Sequence, residues 1–363
     1  MTDPDPALAA LFANVRAAPG DDAPRLALAD ELTRRVDPRG EFIALQYRSR
    51  GGGASRKDAA RERALLKASG RAWAGALGPL LADGAFRFER GFLAECRLKA
   101  PTHEQLRALA DSDAWATVES LSLAPWASPR RLPAYEQSVA AAAEILTGDK
   151  VPSLRRASVH AAAVLTRIAR SPRPLPFEEL ECSGWFHLWC GGFELSAGDV
   201  ALLGATRALP KLRRLAVSTH GHGADQGRGP ARFEALLRGP TFAQLEHFGL
   251  TDVGDALPAW VDALSALPAP SRSFEVVLGA GCRLQRKGLT IRFARDASGR
   301  LSQLAVESHP DAWEHQGWIF QRAARVLAPL DRALRAGASL TVHPGRRPID
   351  DVALVPLRAA LAR

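Results

Sequence analysis

The sequence predicts an α/β protein: a solenoid with parallel strands on its concave face and helices on its convex face, preceded by a small helical domain. Two observations carry this prediction. A short apolar motif, apolar-x-x-apolar-x-apolar, recurs six times along the 363 residues, and a helical stretch precedes most copies. Strands that alternate with helices need crossover connections, so consecutive strands are expected to run parallel and to be connected in a right-handed sense.

The six copies of the motif are spaced irregularly, with starts 36, 23, 35, 33 and 56 residues apart. The largest gap contains a weaker copy at Phe274 and Val276. The full copies begin at Val118, Leu154, Phe177, Leu212, Leu245 and Leu301. This pattern resembles a degenerate leucine-rich repeat, whose units bury their apolar edges only by stacking on one another. The central residues of five copies are therefore expected to be buried in one row: Leu121, Leu180, Leu215, Phe248 and Leu304.

The first 85 residues are predicted to form a separate helical domain. Apolar spacing typical of amphipathic helices covers 7–18, 24–35, 41–47 and 59–81. In the second helix, Leu26, Leu28 and Leu32 are expected to face the core. An alternating stretch from Glu95 to Leu98 is expected to be the first strand of the sheet.

Several segments of this domain occur in a fixed order: DDAPRL at 21–26, AD at 29–30, DPRGEFI at 37–43 and RGF at 90–92. They resemble the repeat-companion domain, a helical module at the N-terminus of bacterial repeat proteins. The chain departs from that family at Leu28 and Glu31, near which the family usually has an aromatic pair. The resemblance implies a helical fold followed by repeats, and no known activity. The charges in these segments are interpreted as helix caps and as charges that pair across the small domain, rather than as an active cleft: Arg25, Asp30, Asp37, Arg39 and Glu41.

The solenoid is predicted over residues 86–285 and a C-terminal cap over 286–363. Prolines at 152, 176, 210, 240 and 270 are expected to stop each helix before the next strand. The cap is predicted to contain a β-hairpin at 289–294 and 300–307, a helix at 316–335 and a strand at 340–342. Such a cap shields the open edge of the last repeat.

Charge and composition exclude some classes of protein. No apolar run approaches the roughly 18 residues of a membrane span, and the N-terminus lacks a signal-peptide pattern, so a cytoplasmic location is expected. Four scattered cysteines do not indicate a disulfide framework. The net charge is +9, with a basic cluster at 48–71; the alternative function is therefore a nucleic-acid-associated factor that uses this segment.

Motifs for catalysis or metal binding are weak. The loop at His220 and His222 resembles the metal-binding loop of metallo-β-lactamase-fold hydrolases, but its aspartate comes one position late and Gln226 replaces the next histidine. The spacing of Cys182, His187 and Cys190 does not match a zinc site. We therefore predict a non-enzymatic protein without a metal or cofactor.

The predicted function is a protein-recognition scaffold or adaptor that binds a partner protein. Residues between the apolar positions of each strand point away from the core, where a partner can reach them. Trp185 and Trp189 belong to a loop that is expected to lie at the rim of this surface, and aromatic residues are frequent energetic anchors of interfaces. The predicted partner-binding residues are Arg156, His160, Glu179, Glu181, Trp185, Trp189, Arg214, Ser218, His247 and Glu307.

Overall fold

The computed structural model describes residues 5–99, 101–123, 132–159, 161–182, 195–218, 229–251, 256–266, 273–278, 289–296, 301–308, 316–330, 334–335, 337–342 and 351–362. Over these residues it is an α/β protein with an open sheet of eleven strands. The chain divides into two compact units, the first containing Met1–Ala127 with Arg131–Ala157 and the second containing Ser128–Arg130 with Ser158–Arg363.

The first unit begins with four helices: α1 (Pro6–Ala17), α2 (Ala23–Arg34), α3 (Pro38–Arg50) and α4 (Arg56–Trp73). Side chains of Asp5, Asp37 and Ser55 cap three of them by accepting hydrogen bonds from first-turn backbone N–H groups. All four predicted helices exist. The fourth ends at Trp73 rather than Leu81, because Gly75 has a positive φ of 58° and a 3-10 turn follows.

The remainder of the first unit alternates strands and helices: β1 (Leu81–Glu89), β2 (Phe92–Leu98), α5 (His103–Leu109), β3 (Ser120–Leu123), α6 (Leu132–Thr147) and the start of β4 (Arg156–Val159). The expected strand at Glu95–Leu98 exists as part of β2. The sheet nevertheless starts one strand earlier, because residues 81–89 pair with β2 as an antiparallel hairpin. Its two turn residues, Arg90 and Gly91, both have positive φ, the backbone pattern of a type I′ turn.

The turn at Arg90 and Gly91 is the place where the segments that resemble the repeat-companion domain meet. Arg25 donates a hydrogen bond to the Arg90 carbonyl (3.1 Å), and Arg39 donates to the Gly91 carbonyl (3.1 Å). Both guanidinium groups also lie over the Phe92 ring, at 4.8 and 4.6 Å from its centroid. The helices are therefore held against the hairpin by side chains that are distant in sequence.

Arg25 and Arg39 were expected to pair with other charges across the domain, but the structure gives them different partners. Arg25 is only 2% exposed, and Arg39 is also buried. Among the described residues, neither makes an ion pair. Burial removes hydration from the charged form and lowers the pKa of each side chain to about 10. Carbonyl oxygens and an aromatic ring contact these charges directly.

One residue of α2 that was predicted to face the core is exposed instead. Leu28 and Leu32 are buried in a cluster with Val15 and Ile43, but Leu26 is 45% exposed. Two residues along a helix correspond to a rotation of about 200°, so Leu26 and Leu28 lie on opposite faces. Leu28 and Leu32, which are four residues apart, face the core, and Leu26 faces solvent.

A strained residue ends α2. Val36 has φ of 60° and is 88% exposed. Its N–H bonds to the Thr33 carbonyl and the next N–H bonds to the Leu32 carbonyl, which together form a Schellman motif. Glycine is the usual residue at this position because a β-branched side chain is strained there.

Val36→Gly is therefore expected to stabilise the protein. Relief of the left-handed strain should raise the free energy of unfolding by about 1 kcal/mol, since the exposed valine loses almost no packing. Urea denaturation followed by tryptophan fluorescence measures the change. A lower midpoint in the glycine variant would show that the valine side chain contributes contacts that outweigh its strain.

The second unit contains the remaining elements: α7 (Ala162–Ala169), β5 (Glu179–Cys182), α8 (Ala197–Ala205), β6 (Arg214–Ser218), α9 (Glu234–Leu237), α10 (Pro240–Ala243), β7 (His247–Thr251), α11 (Leu257–Ala266), β8 (Ser273–Leu278), β9 (Leu289–Arg295), β10 (Leu301–Ser308), α12 (Gln316–Leu327), β11 (Ser339–Val342) and α13 (Asp351–Ala362). The predicted C-terminal hairpin, helix and strand correspond to β9–β10, α12 and β11. The helix predicted before Pro240 ends at Leu237, and Pro240 then occupies the first turn of α10, a short helix that was not predicted, where its missing N–H is not needed.

The strands follow chain order across the sheet, from β1 to β11. β2 and β3 are parallel, and so are β5, β6, β7 and β8. β9 is antiparallel to both neighbours, and β11 is parallel to β10. The sheet is therefore mostly parallel, as expected for strands that are joined through helices.

The predicted row of apolar residues is buried in this sheet. Leu121, Leu180, Leu215, Phe248 and Leu304 are each at most 2% exposed. In the second unit, the register continues from Leu180 through Leu215 and Phe248, and then through Phe274 and Phe293 to Leu304. The motif thus marks core positions of neighbouring strands. Their stacking into a curved solenoid stays a prediction.

Candidate functional site

Six of the ten predicted partner-binding residues have described side chains: Arg156, Glu179, Glu181, Arg214, His247 and Glu307. Ser218 is the last residue of β6. His160, Trp185 and Trp189 lie outside the described residues, as do the His220/His222 loop, His187 and Cys190.

In the second unit, strand register places residues from six strands side by side. Glu179 is paired with Arg214, which is paired with His247. A second row lies two residues further along each strand and therefore on the same side of the sheet. In this row Glu181 is paired with Ala216, which is paired with Gly249. This second row continues through Glu275 to Arg292. We call the following set the polar face: Glu179, Glu181, Arg214, Ala216, His247, Gly249, Glu275, Arg292 and Glu307.

The middle of the polar face has little side-chain bulk. Ala216 and Gly249 are neighbours on β6 and β7, and a Cβ added at Gly249 would lie 3.1 Å from the Ala216 Cβ. A side chain at Gly249 would therefore crowd Ala216, and charged residues lie on either side of these two small residues.

Arg292 holds one side of the polar face together. Its Nε donates to Glu275 (2.9 Å) and its Nη1 donates to Glu307 (2.6 Å). Desolvation lowers the pKa of Arg292, but the hydrogen bonds and charges of these two carboxylates outweigh it and raise the pKa overall. Only Glu307 was predicted. Glu275 and Arg292 could have been found from their outward positions between Phe274 and Val276 and between Ile291 and Phe293.

The other side of the polar face is more enclosed than predicted. Glu181 is only 5% exposed, although it was expected to be accessible. On the adjacent strand, Ser158 is 3% exposed and its hydroxyl has no hydrogen-bond partner among the described residues. Ser158 alternates with the buried Ala157 and Val159, so its hydroxyl lies on the same side of the sheet as Glu181.

Arg214 and His247 occupy the row beside this centre. The His247 Nδ1 contacts the Ser273 hydroxyl. Arg214 is half-buried, and it makes no ion pair with a carboxylate among the described residues. An arginine that is partly desolvated and unpaired is a common anchor for a protein partner.

Arg156, the predicted site residue of the first unit, belongs to a separate charge cluster. Glu95 accepts hydrogen bonds from Arg87 (3.0 Å) and from Arg156. The hydrogen bond from Arg87, with the positive charges of both arginines, lowers the pKa of Glu95. Arg156 is therefore already neutralised, whereas Arg214 has no ion-pair partner among the described residues.

The basic segment at 48–71 is partly neutralised as well. Arg48 pairs with Asp58 (2.9 Å), Arg61 with Glu41 (2.6 Å) and Arg71 with Asp83 (2.5 Å). Four other cations of the segment, Arg56, Lys57, Arg63 and Lys67, are exposed and form no ion pair with the described carboxylates. Of these three pairs, the one between Arg48 and Asp58 lies within the segment, and the remaining exposed helix face is solvated.

Two cysteines lie in the core. Burial raises the pKa of the Cys96 and Cys182 thiols to about 12, compared with an ordinary value of 9.0. Both thiols therefore remain protonated at neutral pH, and the stability associated with this form is lost as the pH rises from about 9 towards 12. Neither is a candidate nucleophile.

Alkylation can test this conclusion. In a Cys190→Ser/Cys282→Ser variant, the two remaining thiols should react with a thiol reagent at pH 8 only after denaturant is added, because reaction needs an exposed thiolate. A rapid reaction of the native variant at pH 8 would contradict the buried position of these cysteines.

The described residues contain no group of three or more histidine, cysteine, aspartate or glutamate side chains that could hold a metal ion. Within the same residues, no helix combines the length and apolar character that crossing a membrane requires. The chain matches no protein-family model, and neither curated proteins nor solved structures show significant similarity to it.

Proposed function

We propose that this chain is a non-enzymatic recognition scaffold that binds a partner protein through its polar face. The observation that carries the proposal is the row register of β5–β8, which gathers charged residues from distant parts of the chain around the small centre at Ala216 and Gly249. A surface of this kind allows close approach of a partner's backbone and offers charged groups for specificity. The proposal needs no cofactor.

The proposal also includes the wider architecture. The strands would belong to a leucine-rich-repeat-like solenoid, the N-terminal helices would be a repeat-companion module, and the protein would act in the cytoplasm. In this arrangement Arg214 is the main anchor, because its guanidinium has no described ion-pair partner, whereas Arg292 is held by Glu275 and Glu307. Truncating such an anchor typically costs about 2 kcal/mol or more of binding free energy.

Charge reversal tests the anchor. Arg214→Glu should abolish capture of the partner by the tagged protein in lysate of the native cell, because it places repulsion at the centre of the interface. Arg213→Glu is the matched control: it makes the same change one residue earlier, at an exposed side chain that pairs with Glu246 outside the polar face. Circular dichroism of both variants checks that they fold.

The capture is repeated at two salt concentrations. A protein partner held by partly buried contacts should be retained at the higher concentration, whereas phosphate contacts weaken steeply with salt. Retained capture by Arg214→Glu, combined with loss after neutralising Arg56, Lys57, Arg63 and Lys67, would replace the proposal with nucleic-acid binding by the basic segment.

A further inference from the structure

The structure sorts the charges of α4 onto two faces of the helix. Both of its carboxylates contact α3. Asp58 accepts a hydrogen bond from Arg48 (2.9 Å). Glu62 accepts hydrogen bonds from Gln46 (3.0 Å) and from Ser49 (3.3 Å). At about 100° of rotation per residue, the two carboxylates lie on the same side of α4, so the helix keeps its negative charge on the face that packs against its neighbour.

The opposite face of α4 is cationic and exposed. Arg63 and Lys67 follow Arg56 by seven and eleven residues, which places the three side chains within about 40° of helix rotation. All three are exposed, as is Lys57 in the first turn, and none of these four makes an ion pair among the described residues. No carboxylate of α4 lies on this face. We call the following set the cationic stripe: Arg56, Lys57, Arg63 and Lys67.

The cationic stripe has the length and smoothness that suit a rigid polymer of negative charge. At a rise of about 1.5 Å per residue it extends about 16 Å along the helix. Each strand of duplex DNA carries one phosphate per about 3.4 Å of helix axis, so about five phosphates of one strand fit along the stripe. Ala60 and Ala64 are the exposed residues between the cations, and their small side chains let a nucleic-acid backbone approach closely.

Other anionic partners fit this face less well. A helix that lies in a membrane interface needs large apolar side chains towards the lipid, but Leu65 is buried and the Trp73 ring packs on Phe42, 4.9 Å between centroids. Single-stranded nucleic acids bind through bases stacked on accessible aromatic rings, and the stripe contains none. Duplex RNA is recognised across two minor grooves over about 16 base pairs, a much longer surface than the stripe.

We propose that the cationic stripe binds the phosphate backbone of double-stranded DNA without reading its sequence. This inference goes beyond the proposed function, in which the polar face holds a protein. The binding free energy comes from the release of condensed counterions, which arginine and lysine replace at the phosphates. Contacts of this kind fix the position of a protein on the duplex and carry no sequence information.

Fluorescence anisotropy of a short labelled DNA duplex, titrated with the full chain, tests the proposal. The duplex should bind at about 50 mM salt and be largely released at about 200 mM. The logarithm of the affinity should fall with the logarithm of the salt concentration with a slope of about −3 to −4, because each of four phosphate contacts contributes about −0.9. A duplex of unrelated sequence should bind with an affinity within about twofold of the first.

A variant without the stripe should bind the duplex at least about tenfold more weakly at about 50 mM salt, and its slope should approach zero. This variant is Arg56→Gln/Lys57→Gln/Arg63→Gln/Lys67→Gln. The matched control removes four exposed positive charges from the second unit, so its net charge is the same, and it should keep the original slope. This control is Arg167→Gln/Arg170→Gln/Arg207→Gln/Lys211→Gln. Circular dichroism of both variants checks that they fold.

Two single variants on α4 compare a free cation with a paired one. Arg63→Gln should make the slope shallower by about one, because one phosphate contact is lost. Arg61→Gln removes the same charge two residues away, but the Arg61 guanidinium is already held by Glu41 (2.6 Å). The slope of Arg61→Gln should therefore stay close to that of the unchanged chain.

The proposal is overturned if the duplex does not bind at about 50 mM salt, or if the control with the same net charge loses as much affinity as the stripe variant. Binding to vesicles of phosphatidylcholine and phosphatidylserine in equal parts, without binding to the duplex, would overturn it in favour of a membrane surface. Partner capture separates these results from the proposed function. If Arg214→Glu abolishes capture but the duplex does not bind, the scaffold function stands and this inference fails.

Discussion

Leu215→Asp is expected to prevent the second unit from folding. Leu215 is 1% exposed and lies between Leu180 and Phe248 in the buried row of the sheet. Truncating a buried leucine alone costs about 2–5 kcal/mol, and an unpaired buried carboxylate adds several more. The total is comparable to the roughly 5–15 kcal/mol by which a domain is stable. The failure to fold would be measured as a loss of soluble protein and of the far-ultraviolet circular dichroism signal.

Two companion variants define the cause. Leu215→Ala should fold with a free energy of unfolding lower by about 2–5 kcal/mol, which isolates the lost packing. Lys211→Asp introduces the same carboxylate at an exposed position shortly before β6 and should leave the urea midpoint nearly unchanged. A folded Leu215→Asp protein with the original midpoint would show that this row is not a core.

Gly91→Ala is expected to have the second-largest effect, a loss of about 2–4 kcal/mol. Gly91 has φ of 83°, and a Cβ there would lie 2.1 Å from the Cγ1 and 2.9 Å from the Cδ1 of Ile43. Ile43 is fully buried and cannot move aside without disturbing the N-terminal core. The substitution therefore combines backbone strain with overpacking, and denaturant unfolding measures the sum.

A matched glycine separates the two effects. Gly84 also has positive φ, 63°, but a Cβ there would meet nothing within 4 Å, so Gly84→Ala should cost only about 1 kcal/mol. In an Ile43→Ala background, the loss of unfolding free energy caused by Gly91→Ala should likewise fall to about 1 kcal/mol. Equal costs with and without Ile43 would contradict the steric explanation, and a double-mutant cycle gives this coupling directly.

Much of the fold follows from local signals in the sequence. Apolar spacing predicted the helices over 41–47 and 59–81, and both begin three residues earlier than predicted, directly after the capping side chains of Asp37 and Ser55. The apolar motif marks core strands because alternation along a strand is a property of the backbone itself. Signals of this kind fail in two cases. Leu81 fitted helical spacing but pairs with β2 as part of a strand. Leu26 was expected in the core but lies on the solvent-exposed face of α2.

The candidate site depended much more on tertiary structure. Alternation predicted that Glu181, Arg214 and His247 share one side of the sheet, and the register confirms it. The sequence could not predict that Arg292 would be neutralised from two strands at once while Arg214 has no described ion-pair partner, because cross-strand pairing depends on register between distant segments.

The sequence by itself determined which stretches become strands and helices and which side of each strand is apolar. Tertiary structure alone decided the environment of each polar side chain. Arg25 and Arg39, which were expected to pair with other charges, became buried partners of the turn at Arg90 and Gly91. The physical reason is that hydration, charge pairing and close contact depend on atoms brought together from remote parts of the chain, whereas capping and alternation need only neighbouring residues.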